Sequence, residues 1–325
     1  MTLAERIRNV AAFGFTERQA GFLVTVMLHA GVCLRRQYCA YAGIVAGQKT
    51  RDFFEALVAR GYATAYACGH NKAQVYHVHR KALYRAIGEP DARLRKSTTL
   101  AKAVERLMIL DHVVASRDVT WLGSERDKLA HFTMHTPVPR EELPSVTFGA
   151  GAKTTVRYFV EKLPIGLTAD GRTHVFLYLV TDPVPVEFRA FLYRHADLLR
   201  AVPSWRIRLL VPRHLTEATA SYARAFQEEL ASSLRPAVVD ELRWYFEHRE
   251  KGNGSDPARM LRDQRAFGAP RFRALFRAWR QRGDRALHVA MSPLIADAIA
   301  RGTGQLECHV VTRQYFHCAP LVGVA

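Results

Sequence analysis

Two short polar runs, at residues 35–37 and 48–51, hold side chains that could bind nucleic acid. Glutamine can form two hydrogen bonds with adenine and arginine two with guanine, whereas lysine and threonine more often contact phosphate. A third cluster at residues 70–72 combines histidine, asparagine and lysine. The candidate binding residues are Arg35, Arg36, Gln37, Gln48, Lys49, Thr50, Arg51, His70, Asn71 and Lys72.

Apolar periodicity predicts two helices before the second polar run. Thr16 is a typical N-cap residue for the first helix, and Gly31 is a typical residue to end it. Residues 34–41 then form a short second helix, followed by a turn at Gly43. The residues of this second helix expected to face outward are Arg35, Arg36 and Gln37.

The third helix is predicted over residues 47–60, with the second polar run in its first turns. Its expected buried stripe consists of Phe53, Phe54, Leu57 and Val58. Residues 62–67 and 74–79 alternate like two strands of a hairpin, whose tip carries Lys72. This order predicts a winged helix-turn-helix over residues 15–87, with duplex DNA as its partner.

The charge of the chain favours the same partner. Its 325 residues carry a formal net charge of +17, with 47 Lys and Arg against 30 Asp and Glu. Residues 1–97 hold 15 basic and 6 acidic residues, and residues 262–285 hold 8 Arg and 2 Asp. Patches of this kind attract phosphate polyanions, although a solvated arginine face is an alternative for the second patch.

Composition also bounds the class of protein and its compartment. Hydrophobic residues make up 49% of the chain, which excludes a disordered protein, and no apolar run approaches the length of a membrane span. The first residues lack the apolar centre of a signal peptide. Five cysteines without framework spacing indicate a reducing compartment. We therefore expect a cytoplasmic protein that does not enter a membrane.

Four regions are predicted along the chain: a DNA-binding domain over residues 1–90, a helical connector over 91–150, an α/β domain over 151–250 and a basic C-terminal region over 251–325. The connector holds one long helix with an apolar stripe. Such a stripe is expected to pack on the next domain, and a dimer contact is the alternative. The expected fold class is therefore α+β or α/β.

The α/β domain is predicted from two strand-rich segments, THVFLYLVTD and WRIRLLV, on either side of an amphipathic helix over residues 186–201. The same region contains KLPIGL before the first of these strands, FLYRHADLLR in the helix and WRIRLLVP at the end. This pattern resembles the replication-relaxation type winged helix-turn-helix proteins of bacterial mobile genetic elements. The resemblance covers about residues 15–235. It implies a degenerate restriction-endonuclease-like fold for the second domain and DNA binding in plasmid or integrative-element biology.

A working nuclease of that fold needs an acidic residue on one strand and an acid-x-Lys pair on the next, to hold Mg²⁺ and orient water. Ile165 stands at the first position, and the following strand has no such pair. Asp182 lies at the end of that strand and is followed by a proline, and Glu161-Lys162 and Asp170 are nearby but wrongly spaced. We therefore predict a non-catalytic domain, with no catalytic residue, cofactor or metal. The alternative is a metal-dependent nuclease or relaxase-associated enzyme.

The C-terminal region contains a predicted helix over residues 270–282, with aromatic residues on one face and five arginines elsewhere. These arginines could contact phosphate or an acidic protein partner. The adjacent pairs Cys308-His309 and His317-Cys318 have poor geometry for a shared zinc ion. No metal site is predicted there.

The sequence therefore predicts a sequence-specific protein that binds double-stranded DNA, either a transcriptional regulator or an accessory factor of a plasmid or integrative element. A second copy of the chain is a candidate partner, since one winged helix rarely buries enough surface for strong specific binding. A protein-interaction module of a defence or assembly complex is the remaining alternative.

Overall fold

The computed structural model describes residues 1–68, 73–136, 138–149, 154–251, 256–313 and 315. The protein is a mixed α and β protein, in agreement with the predicted class. Its contacts divide the chain into two compact units, Met1–Ser124 with Val311–Ala325, and Glu125–Val310. Among the described residues, no helix combines the length and the apolar character needed to cross a membrane.

The first unit contains six α-helices and four strands among its described residues. In chain order they are α1 (Leu3–Ala11), α2 (Glu17–His29), β1 (Val32–Cys33), α3 (Arg35–Ala42), α4 (Gln48–Ala59), β2 (Ala63–Ala67), β3 (Gln74–Val78), α5 (Lys81–Ala86), α6 (Leu100–Ala115) and β4 (Val119–Leu122).

Local sequence signals fix both ends of α2. The Thr16 hydroxyl accepts a hydrogen bond from the Gln19 amide at 3.3 Å, and the Gln19 side chain accepts one from the Thr16 amide at 3.0 Å. This reciprocal pair satisfies two backbone donors at the start of the helix. Gly31 follows the helix with φ +71°, a conformation that side chains other than hydrogen disfavour. The predicted start and end of this helix are confirmed.

The predicted hairpin is present as an antiparallel pair, β2 and β3. The short strand β1 joins its other side, which gives the strand order β1-β3-β2. In this register His77 lies between Val32 and Thr64. The predicted tip residues His70, Asn71 and Lys72 lie outside the described residues, so their placement stays a prediction.

The long helix α6 packs inside the first unit. Its buried face joins the same core as α2, α4 and the hairpin, and the contributing residues are Ala103, Val104, Leu107, Leu110 and Val114. The expectation that this stripe packs on the next domain is therefore wrong. Amphipathic periodicity shows that a helix has a partner, but it does not show which partner it has.

The second unit alternates strands and helices before a helical end. Its elements are α7 (Glu125–Ala130), β5 (Ser145–Phe148), β6 (Thr155–Tyr158), β7 (Ile165–Thr168), β8 (His174–Leu179), α8 (Val186–Ala201), β9 (Trp205–Pro212), α9 (Thr219–Phe226), α10 (Pro236–Lys251), α11 (Pro257–Ala266), α12 (Pro270–Arg282), α13 (Asp284–Met291), α14 (Leu294–Ala300) and β10 (Gly304–Val311). A π-helical turn, His131–His135, extends α7.

The strands β10, β9, β8 and β7 lie side by side in that order. β7 runs antiparallel to β8, whereas β8 and β9 are parallel and are connected through α8. Every residue of β8 is buried, as its continuous apolar sequence predicts. A separate cluster joins α10, α12 and α13 through Phe246, Leu275 and Leu287.

Candidate nucleic-acid interface

The first turn of α4 presents three of the predicted binding side chains. Gly43 ends α3 with φ +65°, and four residues later Gly47 begins α4 without a side-chain cap. Gln48, Lys49 and Arg51 are all exposed. Gln48 donates to Asp52 at 2.5 Å and accepts from Arg51 at 3.4 Å. These two contacts hold the glutamine amide and the guanidinium close together on one exposed surface.

A groove of about 750 Å³ lies beside this turn, between the first turn of α2 and the start of α4. Lys49 and Arg18 both line it, together with the neutral side chains of Gln19 and Tyr41. Glu17 is the acidic residue of this lining. The ion pairs of the described residues include none for Lys49 or Arg18.

Arg18 was missed by the sequence argument. Its position in the first turn of a predicted helix was visible, but nothing in the sequence placed it near Lys49, thirty-one residues away. The loop between α3 and α4 brings the two helix starts together, and only the folded unit shows that they share a groove.

Thr50 does not belong to the exposed set. It is 2% exposed, and its hydroxyl lies 3.7 Å from the sulfur of Cys39. The residue therefore fixes α4 against α3, and its predicted contact with a ligand is wrong for the side chain. Val58, expected in the buried stripe of α4, is 39% exposed. The buried face of this helix is rotated toward Thr50, so that it includes Phe53, Phe54 and Leu57.

Gln37 is also buried, and the expectation that it faces outward is wrong. Its amide oxygen accepts a hydrogen bond from the Leu34 amide at 2.9 Å, and its amide nitrogen donates to the Leu107 carbonyl at 2.9 Å. A glutamine can be buried when its polar groups find such partners. Gln37 therefore caps α3 and joins it to α6.

Arg35 and Arg36 are half-buried and are bound within the first unit. Arg35 donates to the Tyr76 hydroxyl at 2.6 Å and to Gln74 at 3.1 Å. Arg36 donates to both carboxylate oxygens of Asp111, at 2.5 and 2.7 Å. The ring of Tyr315 covers the Arg36 guanidinium at 5.4 Å. Both arginines therefore stabilise the fold in this conformation.

In the second unit, the five arginines of α12 all have partners in the chain. Arg277 pairs with Glu187 at 4.0 Å and Arg280 with Glu250 at 3.1 Å. The remaining three bind the Ser232 carbonyl, the Gly268 carbonyl and the buried Asp197 carboxylate, and these three are Arg271, Arg273 and Arg282. The solvent-facing pairs are worth little individually, so a competing phosphate or acidic surface could displace them.

The carboxylates considered for metal chemistry each serve a local contact. Asp170 accepts hydrogen bonds from the Thr168 hydroxyl and the Arg172 amide, and Asp182 accepts one from the Val184 amide. Glu161 pairs with Arg194 at 2.9 Å. Within the described ranges, no three His, Cys, Asp or Glu side chains are arranged as a ready metal-ligand set.

Comparison with protein-family models, with characterised proteins and with solved structures gives no match for this chain. The function of the chain is therefore inferred from the geometry of the first unit. Its central feature is an exposed surface with Gln48, three cations and the carboxylates of Glu17 and Asp52, on which Lys49 and Arg18 form no ion pair among the described residues.

Proposed function

We propose that the first unit is a winged helix-turn-helix that binds double-stranded DNA, with α4 in the major groove. The observation that carries this proposal is the exposed first turn of α4, where Gln48, Lys49 and Arg51 face solvent above a packed helix. A recognition helix presents the residues of its first turns to base edges and phosphates.

The order and packing of the elements support this architecture. α3 and α4 are joined by a short turn at Gly43, and the antiparallel pair β2 and β3 follows directly. Phe53 and Phe54 hold α4 on the core through ring contacts with Tyr38 and Tyr76. A helix fixed in this way can present a side chain to DNA without a large ordering cost.

The chemistry of the exposed residues suits both phosphate and bases. Lys49 and Arg18 are cations without an acidic partner in the described part of the chain, so phosphate contacts would not require an existing ion pair to break. Gln48 and Arg51 are the candidates for base edges, since each can form two parallel hydrogen bonds in the major groove. His70, Asn71 and Lys72, which lie outside the described residues, stay candidates for phosphate contacts.

We place this activity in the cytoplasm, as a regulator of transcription or an accessory factor of a plasmid or integrative element related to the replication-relaxation type. The β7-β8-α8-β9 order of the second unit is compatible with a restriction-endonuclease-like core without catalytic residues. Pairing of two copies on DNA would supply the interface area that one winged helix lacks.

The test is a salt titration of binding by the full chain, measured by fluorescence anisotropy with random duplexes and with DNA from upstream of its own gene. We expect steep salt dependence, because phosphate contacts release counterions. Lys49→Ala with Arg51→Ala should weaken binding and reduce the salt slope by about one unit for each phosphate that the protein no longer neutralises.

The matched control is Arg224→Ala with Arg301→Ala, which also removes two exposed cations but lies in the second unit. Equal losses of affinity in the two double variants would indicate a general charge effect and contradict the proposed interface. Absence of duplex binding at low salt would overturn the proposal altogether.

A further inference from the structure

The helices α11 and α12 and the turn between them hold a concentration of positive charge that the proposed function leaves unused. Residues 257–282 contain eight Arg and one Asp, without Lys or Glu, so their formal charge is +7. The one acidic residue, Asp263, is 2% exposed and pairs with Arg259 and Arg262. The exposed charges of these two helices are therefore all positive.

One face of α12 packs into the unit, and the opposite face carries arginines. Leu275 is fully buried, and the aromatic residues of the helix pack against the same cluster. Arg273, Arg277 and Arg280 are exposed. Their i, i+4 and i+7 spacing places them in one row, which we call the arginine stripe. At a rise of about 1.5 Å per residue, the arginine stripe is about 10 Å long.

The contacts of the arginine stripe within the chain are weak. Arg277 pairs with Glu187 at 4.0 Å and Arg280 with Glu250 at 3.1 Å, and all four side chains are exposed. Arg273 donates to a backbone carbonyl at 2.9 Å. Exposed ion pairs contribute little to stability, so an anionic ligand can replace them. Like charges three or four residues apart also repel each other along a helix, and bound phosphate would relieve this repulsion.

The chemistry of arginine favours phosphate as the ligand. A guanidinium can donate two parallel hydrogen bonds to one phosphate, whereas the lysine ammonium acts as a point charge. Duplex DNA places a phosphate about every 3.4 Å along its axis on each strand. About three phosphates of one strand therefore span the length of the arginine stripe.

The rest of the α12 surface distinguishes duplex DNA from other anionic partners. The aromatic rings of the helix pack against the core cluster, so they do not form a stacking platform for the bases of a single strand. Along this fully described helix no large hydrophobic side chain is exposed, whereas protein interfaces usually contain such anchors. The exposed row of guanidinium groups therefore suits the backbone of a duplex.

We propose that the arginine stripe binds the phosphate backbone of duplex DNA and does so without reading its sequence. On binding, the guanidinium groups exchange their exposed contacts with Glu187 and Glu250 for phosphate oxygens. This surface lies in the second unit and does not require the proposed winged helix-turn-helix. It raises the affinity for every duplex by the same factor, because phosphate contacts carry no sequence information.

The test is fluorescence anisotropy of the full chain at several salt concentrations, with random duplexes and with DNA from upstream of its own gene. Arg273→Gln, Arg277→Gln and Arg280→Gln together should weaken binding of both DNAs by the same factor. The slope of log affinity against log salt should become shallower by about 2–3 units, because each lost phosphate contact contributes about 0.9. An unchanged slope would overturn the inference.

The matched control is Arg213→Gln with Arg224→Gln and Arg301→Gln, which removes three exposed arginines of the second unit outside α11 and α12. It should leave the salt slope unchanged, and equal losses in both triple variants would reveal a long-range charge effect and contradict a defined surface. Replacement of the arginine stripe by Lys keeps its charge and should retain the slope. A loss in the lysine variant as large as in the glutamine variant would show that the arginines act through the fold rather than through phosphate.

Combination of the glutamine variant of the stripe with Lys49→Ala and Arg51→Ala separates this inference from the proposed function. The two slope reductions should add, because the two sets of residues contact different phosphates. If only the stripe variant reduces the slope, the proposed interface on α4 fails and the arginine stripe stands, whereas the reverse result refutes the arginine stripe. Tighter binding of a labelled polyglutamate peptide than of duplex DNA would identify an acidic protein as the partner and refute it as well.

Discussion

Arg36 of α3 and Asp111 of α6 form a two-point ion pair, with nitrogen–oxygen distances of 2.5 and 2.7 Å. The Tyr315 hydroxyl donates to the same carboxylate. One acidic residue therefore connects two helices of the first unit and a residue close to the end of the chain. This relationship explains why Arg36, which looks like a nucleic-acid contact in the sequence, has a structural role in the folded unit.

Asp111→Asn should lower the free energy of unfolding by about 1–3 kcal/mol, because it leaves a half-buried guanidinium and a buried hydroxyl without their charged acceptor. Urea denaturation measures the change. Glu105→Gln is the control, since it breaks the surface ion pair with Lys102 and should cost about 0–1 kcal/mol. Similar destabilisation in both variants would show that the Asp111 pair has no special role.

Replacement of the buried Gln37 and of the exposed Gln48 should affect the stability of the protein differently. Gln37→Ala should destabilise the protein by about 1–3 kcal/mol, because it leaves the buried Leu34 amide without its acceptor and removes the hydrogen bond that joins α3 to the Leu107 carbonyl of α6. Gln48→Ala should change stability by no more than about 0.5 kcal/mol, because its side chain is on the surface.

DNA affinity should show the opposite order for these two variants. At a temperature where both are folded, Gln48→Ala should weaken duplex binding more than Gln37→Ala. Urea denaturation measures the stability of the two variants, and anisotropy titrations on the same preparations measure their affinity for duplex DNA. Stronger loss of binding in folded Gln37→Ala would place the interface elsewhere.

Lys128 predicts a pH dependence of stability in the second unit. Its side chain is buried, donates to the Leu163 carbonyl at 2.7 Å and lies 5.7 Å from the Phe159 ring centre. Burial lowers the pKa of this amine from 10.5 to about 8, although the nearby Glu161 opposes the shift. Between these values the unfolded chain holds a proton that the folded chain has released. The Lys128 contribution to stability therefore rises with pH from about 8 to 10.5.

The measurement is urea denaturation of wild type and Lys128→Met at several pH values across that window. The free energy of unfolding of the wild type should rise relative to that of the variant as the pH increases through this window. Below about pH 8 the difference between the two proteins should be constant. Comparison with the variant cancels the titration of tyrosines and cysteines elsewhere in the chain. Parallel stability curves would contradict the lowered pKa.

Local signals in the sequence located several of the helices and strands correctly. Thr16 with Gln19 set the start of α2, and Gly31 set its end, because these contacts involve neighbouring residues. The predicted helices over residues 186–201 and 270–282 agree with α8 and α12 at both ends. The antiparallel hairpin followed from alternating residues on either side of a turn. Each of these features depends on short-range chemistry.

The roles of individual polar residues were decided by the tertiary structure. Gln37 and Thr50 were expected at the surface, yet both are buried. The side chain of Gln37 donates a hydrogen bond to a carbonyl of α6, seventy residues away, and the hydroxyl of Thr50 contacts Cys39 of α3. The hydrogen bond between His131 and His174 depends in the same way on the packing of a helical turn against a strand. The sequence by itself determined where the basic runs occur, and where those helices and strands occur whose signals are local. Only the packing of distant elements decided which polar groups bind one another and which remain exposed, because a buried polar group is stable only where the fold supplies its partner.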